Sequence, residues 1–121
     1  MPRYLTLVRI EENTIDMGDA DPGFEERMGA LFEEITKAGV MLDTAGLKPT
    51  AEATRITWSD GKLSYTDGPF TETKEVVGGY AMMQCKDMAE AMEWSRRFLA
   101  VHPPHWTVGL EVREVEEAPG A

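Results

Sequence analysis

The sequence has little cysteine and little positive charge. Cys85 is the single cysteine among 121 residues, so the chain offers neither an intrachain disulfide nor a cysteine-based zinc site. The 12 lysines and arginines stand against 22 acidic residues, which gives a formal net charge of −10. Nucleic acid and anionic membranes both require a basic surface, so neither is expected as a partner. Cys85 lies in an apolar run, which predicts a buried and inert thiol.

Long hydrophobic runs and a targeting signal are missing as well. No apolar segment approaches the roughly 20 residues of a membrane helix. The first residues, Met1 to Tyr4, begin a strand-like segment rather than a secretory signal. These observations favour a cytoplasmic protein. The length and the hydrophobic content of 42% are those of one globular domain, which we expect at residues 1–116, followed by a flexible tail at residues 117–121.

Familiar catalytic and metal-binding motifs are absent too. His102 and His105 are separated by two prolines, so they cannot share a helical face as a pair of metal ligands. The chain has neither a Gly-x-Ser-x-Gly elbow nor a phosphate-binding glycine loop. We therefore expect no metal and no cofactor. Two roles stay open for His102: a general base tuned by a carboxylate, or a loop histidine that contacts solvent or a carbonyl at a helix end.

Hydrophobic periodicity predicts six strands and two helices. The strands are expected at Tyr4–Ile10, Val40–Asp43, Ala53–Ser59, Lys62–Thr66, Val76–Cys85 and Thr107–Val115. One helix is expected from an Asp21 N-cap to a left-handed cap at Gly39, and the second from the capping box Asp87–Glu90 to Pro103. This order indicates a ferredoxin-like α+β fold. Two helices can cover one face of such a sheet and a second copy the other, which predicts a homodimer.

The most distinctive stretch of the chain runs from residue 66 to residue 75 and reads TDGPFTETKE. Asp-Gly-Pro is typical of a turn, and Phe70 is a large apolar residue inside that turn. The charged remainder leads into the apolar run Val76–Met83. Polar segments that lead into buried strands often present functional groups at the strand end.

Residues 67–75 resemble the DGPFAETKE signature of the YCII-related, or DGPF-domain, proteins, with Thr71 where alanine is usual. The flanking segments Gly46–Pro49 and Gly78–Tyr80 are similar to that family as well. The resemblance implies a ferredoxin-like chain that pairs into a dimeric α+β barrel, in a family whose activity is largely unestablished. Many relatives carry an acidic residue where this chain has Ala45. That carboxylate is either missing here or replaced by Asp43.

The charged side chains of this signature are the best candidates for chemistry. Asp67, Glu72 and Glu75 lie within nine residues, and two carboxylates brought together at a strand end would form an acid–base pair. We predict Asp67 and His102 as acid–base residues and Lys74 as a helper that stabilises an anion. The predicted ligand-binding residues are Phe70, Tyr80, Trp58 and Glu72.

Structural roles compete with each of these assignments. Asp67 could cap its own turn, and the other charges of the signature could form surface ion pairs. Trp58 could serve cross-strand pairing in the hairpin, and Phe70 could insert into a partner subunit. Two functions therefore stay open. One is a homodimer that binds a small organic ligand, with acid–base catalysis as an option, and the other is a non-catalytic regulatory or interaction module.

Overall fold

The computed structural model describes residues 1–117. For Met17 it describes only the backbone. This part of the chain contains six β-strands and two α-helices. The strands are β1 (Arg3–Ile10), β2 (Met41–Gly46), β3 (Thr54–Ser59), β4 (Lys62–Asp67), β5 (Val76–Gln84) and β6 (Val108–Glu114). The helices are α1 (Phe24–Lys37) and α2 (Met88–Ala100). The predicted order of elements is confirmed, and the fold is mixed α+β.

Four of the strands form one antiparallel sheet in the order β2-β5-β1-β6. This order, with α1 between β1 and β2 and α2 between β5 and β6, is consistent with a ferredoxin-like fold. β5 has the most apolar sequence and is a central strand, paired with β1 on one side and with β2 on the other. β3 and β4 form a separate two-stranded sheet.

The hydrophobic core lies between the helices and one face of the four-stranded sheet. Its buried residues come from β1, α1, β5, α2 and the connections beside them: Tyr4, Ile35, Val40, Met83, Cys85 and Ala91. Side chains alternate along a strand, so Leu5 and Leu7 of β1 point away from this core. Met82 pairs with Leu5 and Tyr80 with Leu7, so these four half-buried side chains share the opposite face, called here the open face.

Local sequence signals set most of the element ends. Gly39 has φ +71° after α1, which is the left-handed cap that was predicted. Asp87 accepts a hydrogen bond from Glu90 N at 2.9 Å, which confirms the capping box. Asp60 and Gly61 both have positive φ, as the predicted tight hairpin requires. β2 runs to Gly46, beyond the predicted end at Asp43, because the added residues continue to pair with β5.

The predicted start of α1 was wrong by two residues. The helix begins at Phe24, and its N-cap residue is Gly23 rather than Asp21. The Asp21 carboxylate accepts a hydrogen bond from Gly23 N at 3.3 Å and also binds the guanidinium of Arg27 at 2.7 and 2.8 Å. Arg27 in addition donates to the carbonyl of Val101, which follows α2. Asp21 therefore helps to join the start of α1 to the end of α2 instead of capping the helix.

The predicted tail begins at Glu117, which forms an ion pair with Arg3 of β1 at 2.6 Å. Residues 118–121 lie outside the described residues. The division into a domain at 1–116 and a tail at 117–121 stays a prediction.

Candidate functional site

The signature, Asp67–Glu75, connects the end of β4 to the start of β5 and is held by main-chain contacts. Gly68 N donates to Ala53 O at 2.8 Å, and Phe70 N donates to Thr50 Oγ1 at 3.3 Å. A Cβ atom at Gly68 would lie 1.6 Å from Thr50 O, so this position accepts only glycine. The peptide bond that follows Gly68 is cis. Backbone packing therefore explains the glycine of the signature.

Thr50 is the buried residue on which the signature rests. Its amide and its hydroxyl both donate to the Glu12 carboxylate, at 2.6 and 2.5 Å. The same hydroxyl accepts a hydrogen bond from Phe70 N. Thr50 thus joins Glu12, in the segment after β1, to the signature. Glu12 and Thr50 were not predicted from the sequence as part of the site. The two residues are 38 positions apart and belong to segments without regular periodicity, so no local pattern marks the pair.

Arg55 of β3 is the second support of the signature. Its guanidinium carbon lies 3.8 Å from the centroid of the Phe70 ring, which is a cation–π contact. Its Nη2 donates to Thr73 Oγ1 at 2.9 Å, and its Nη1 pairs with the Glu72 carboxylate. The Glu72 backbone amide and Arg55 together lower the pKa of the Glu72 carboxyl. Two predicted binding residues, Phe70 and Glu72, are thus brought together around an arginine that was not predicted.

The predicted catalytic groups of the signature make simple surface contacts. The Asp67 carboxylate accepts from Thr54 Oγ1 at 2.9 Å across the hairpin, and the residue is exposed. The Lys74 ammonium is 85% exposed and lies 3.7 Å from the Glu11 carboxylate. The Lys74 contact is the surface ion pair that competes with a catalytic role, whereas Asp67 binds the neighbouring strand instead of capping its own turn.

His102 lies beyond the C-terminal end of α2, in contact with helix and aromatic atoms. Its Nδ1 is 2.9 Å from Phe98 O, which is the helix-carbonyl contact considered from the sequence. The imidazole ring packs at 5.5 Å from the Phe24 ring and 4.8 Å from the Phe98 ring, measured between centroids. Within residues 1–117, no hydrogen bond or ion pair joins His102 to Asp67 or Lys74.

The other two predicted binding residues lie on different surfaces. The Tyr80 hydroxyl donates to Asp43 Oδ2 at 2.8 Å, and this hydrogen bond, with the nearby negative charge, raises the pKa of Tyr80. Tyr80 pairs with Ala45 across the strands, and Asp43 lies two residues before Ala45 in β2. Trp58 lies on β3 opposite Leu63 and is 70% exposed.

Two grooves flank Phe70. The smaller has a volume of about 270 Å³ and lies between the signature and residues 11–14. The larger, of about 510 Å³, lies between the signature, residues 47–53 and the end of the open face at Arg9. Its charged lining residues are Arg9, Lys48, Glu52, Arg55 and Glu75. Among the described residues, Arg9 Nε is one of two buried polar side-chain atoms without a hydrogen-bond partner.

The family follows from the comparison with known proteins. The profile of the YCII-related domain matches residues 2–118. The chain belongs to the YCII-related family. An uncharacterised protein of Rhizobium meliloti (strain 1021) is 33% identical over 86 residues, which cover 71% of this chain and 68% of that protein. The resemblance carried by the DGPF signature is thereby confirmed.

Within residues 1–117, no group of three or more His, Cys, Asp or Glu side chains is placed to hold a metal ion. The same residues include no helix that is both long and apolar enough to cross a bilayer. Cys85 is fully buried as predicted, and burial raises the pKa of its thiol to about 11. A cytoplasmic location stays a prediction.

The third cavity of this YCII-related fold lies between the sheet and the two helices and has a volume of about 270 Å³. Aromatic and aliphatic side chains dominate its wall, among them Leu31, Phe32, Trp94 and Phe98. None of the described residues that line it is charged, and Tyr80 borders it while its side chain lies on the open face. The cavity adjoins Gly79 and Ala81 of β5, where small residues leave space under the helices.

The hydroxyl groups around this cavity already have partners in the protein. Thr6 Oγ1 donates to Ala81 O at 3.1 Å, and Ser95 Oγ donates to Ala91 O at 2.7 Å. Thr44 Oγ1 donates to Tyr80 O at 2.9 Å. Because their protons bind backbone carbonyls, these side chains present mainly oxygen lone pairs and methyl or methylene groups to an occupant. The cavity is therefore suited to an apolar molecule with at most one or two hydrogen-bond donors.

Proposed function

We propose that this YCII-related protein is a homodimer that binds a small, mostly apolar organic molecule in the cavity between its sheet and helices. The supporting observation is an uncharged cavity of about 270 Å³. Small-molecule sites in proteins are typically concave and lined mostly by hydrophobic and aromatic side chains, with few polar groups. Phe32, Trp94 and Phe98 give the cavity this composition.

The dimer in this proposal pairs the open faces of two sheets, as in a dimeric α+β barrel. Leu5, Leu7 and Met82 form an apolar centre on that face. Apolar sheet faces are normally covered, here by helices on one side and by the second copy on the other.

This proposal favours ligand binding over acid–base catalysis. Catalysis by Asp67 and His102 requires both side chains to reach one ligand, yet Asp67 binds Thr54 and His102 binds the carbonyl of Phe98. Lys74 likewise contacts Glu11. A cavity lined by apolar side chains and by hydroxyl groups that already have partners offers a place to bind and, among its described residues, no group suited to transferring a proton.

Thermal unfolding with and without indole tests the proposed cavity, because indole is small, apolar and carries one donor. We expect saturating indole to raise the Tm of the wild-type protein, since a ligand that binds only the folded state stabilises it. Ala81→Leu fills the cavity and should abolish this shift. Ala30→Leu is the matched control, because Ala30 is an exposed residue of α1, and it should preserve the shift.

Two results would contradict the cavity assignment. An indole shift in Ala81→Leu equal to that of Ala30→Leu would exclude this cavity as the binding site. A shift that is lost in Asp67→Asn but kept in Ala81→Leu would move the site to the signature and favour the predicted acid–base residues.

The second candidate function is a non-catalytic interaction module. One observation favours it: the β3–β4 hairpin exposes four large apolar side chains on a single face, Ile56, Trp58, Leu63 and Tyr65. Contiguous apolar patches on a protein surface commonly mark interaction sites. An indole shift would favour the ligand-binding function, whereas its absence together with a protein contact through the hairpin would favour the module.

A further inference from the structure

The hairpin β3–β4, residues 54–67 and called here the arm, stands outside the four-stranded sheet. Ile56 pairs with Tyr65 and Trp58 pairs with Leu63, so the four side chains lie on one face of the arm. They are 54–70% exposed and form what we call the arm patch. Thr57 and Ser64 pair on the other face.

An arm of this kind needs a partner surface. Two-stranded hairpins that pack against nothing are at best marginally stable in water. Within residues 54–67, all of which the structure describes, not one residue is buried. The two aromatic and two aliphatic side chains of the patch expose on the order of 500 Å² in total, near the upper end of the largest patch on a typical monomer.

The root of the arm is held firmly, although its apolar face is uncovered. Thr54 binds Asp67 across the two strands, and Gly68 N binds Ala53 O just below them. Arg55 stacks on Phe70 and bonds to Thr73 on the side of the arm opposite the patch. The signature therefore fixes the direction in which the arm projects.

We propose that the arm patch docks on a second copy of this chain and that the signature holds the arm in position for this contact. The inference rests on the proposed homodimer and adds an interface element to it. Two patches would together bury about 1,000 Å², the lower limit for a specific protein interface. The open faces, which the proposed homodimer also pairs, would add to this area.

The charge of the chain also favours a second copy as the partner that covers the arm patch. Each chain carries a net charge of −10, so two copies repel each other, and their contact surfaces need to be uncharged. The arm patch consists of four uncharged side chains, and the centre of the open face is formed by Leu5, Leu7 and Met82. These are the surfaces through which two acidic copies can meet at the least electrostatic cost.

Sedimentation equilibrium of four proteins tests the arm. The arm variant is Trp58→Thr with Leu63→Thr, because threonine keeps a high strand propensity while it removes the apolar surface. The matched control, Thr57→Ala with Ser64→Ala, changes a cross-strand pair on the opposite face of the same strands. Leu7→Glu on the open face tests the proposed sheet-to-sheet dimer separately. We expect the arm variant to raise the dimer Kd at least tenfold and the control to leave it within twofold.

Each outcome decides between the two proposals. A wild-type dimer with an unchanged Kd in the arm variant overturns the arm contact, leaves the homodimer standing and assigns the patch to another partner. A wild-type dimer that Leu7→Glu does not weaken, but the arm variant does, supports the arm and overturns the pairing of open faces. A monomeric wild type over the whole concentration range overturns both.

Fluorescence of Trp58 gives a second measurement that does not depend on a variant of the arm. In a protein with Trp94→Phe and Trp106→Phe, Trp58 is the single tryptophan. We expect acrylamide to quench it at least twofold less at concentrations where the protein is dimeric than where it is monomeric. Equal quenching at both concentrations would show that Trp58 stays in water and would overturn the contact.

Discussion

The guanidinium carbon of Arg55 lies 3.8 Å from the centroid of the Phe70 ring, and this stack joins the arm to the signature. Phe70 is thus engaged within its own chain, although an isolated phenylalanine in a polar turn suggested a ligand or a partner subunit. The same arginine binds Thr73 and Glu72. Arg55, on a strand of the hairpin, therefore contacts an aromatic ring, a hydroxyl and a carboxylate of the signature.

A double-mutant cycle on this pair measures the strength of the stack. We expect Phe70→Leu and Arg55→Met each to destabilise the fold, with a coupling energy of about 0.5–1 kcal/mol, as found for cation–π pairs near a surface. Urea unfolding at one fixed protein concentration gives the four free energies. Strictly additive effects would show that the ring and the guanidinium contribute independently.

Gly68→Ala should be among the most destabilising single substitutions in the signature. The new Cβ would lie 1.6 Å from Thr50 O, and a backbone atom cannot yield as a flexible side chain does. We expect a loss of about 3 kcal/mol, the upper end of the range for overpacking. Urea unfolding measures it.

Gly29→Ala is the control for this experiment. Gly29 lies in α1 with open space around its Cα, so alanine there should stabilise the protein by up to about 1 kcal/mol through helix propensity. If both alanine variants had similar stability, the close approach of Thr50 to Gly68 would not constrain the signature.

Acid should weaken the connection between α1 and α2, because it protonates the Asp21 carboxylate that binds Arg27. The hydrogen bonds from Arg27 lower the pKa of Asp21 from its usual 3.8 to about 2. Because the folded-state pKa lies below the unfolded one, this pair stabilises the fold fully above pH 3.8 and loses that contribution as the pH falls toward 2. Asp21→Asn should therefore make the stability less dependent on pH in this window.

The pH dependence can be checked by urea unfolding between neutral and strongly acidic pH. Glu26→Gln is a suitable control, because Glu26 is an exposed carboxylate in the first turn of the same helix. An equal change of the pH profile in Asp21→Asn and Glu26→Gln would assign the acid sensitivity to general charge rather than to the Asp21–Arg27 pair.

Cys85 should react slowly in the folded protein. Its side chain is fully buried, and burial, with the charges of Glu90 and Asp87, raises the pKa of the thiol to about 11. Since the thiolate is the reactive form, we expect an aromatic disulfide reagent at pH 8 to modify Cys85 at least 100-fold more slowly in the folded than in the urea-unfolded protein. Ala100→Cys at the exposed end of α2 supplies a control thiol that should react rapidly in both states.

Local patterns predicted the elements of the fold well. The apolar run of β5, the capping box at Asp87 and the turn at Asp60–Gly61 each depend on a few neighbouring residues, and each was found where it was expected. The start of α1 was missed because Asp21 had a stronger partner in Arg27, six positions along the chain. A favourable N-cap residue does not cap a helix when its carboxylate is bound to a guanidinium instead.

The candidate site could be located from the sequence only in part. The signature was visible as a motif, and its Phe70 and Glu72 do lie together. Arg55, Glu12 and Thr50 were not visible, because they reach the signature from other segments of the chain. The apolar cavity was not predicted either, since it arises where helices α1 and α2 span the small residues of β5.

The sequence by itself determined the family, the order of the strands and helices, the acidic surface and the place of the signature, because periodicity, turn chemistry and charge are properties of neighbouring residues. Only the tertiary structure decided that Asp67 and His102 have separate partners, that an arginine holds the signature and that the hairpin presents one apolar face to solvent. Those features depend on contacts between residues far apart in the chain, which are set by packing and strand register.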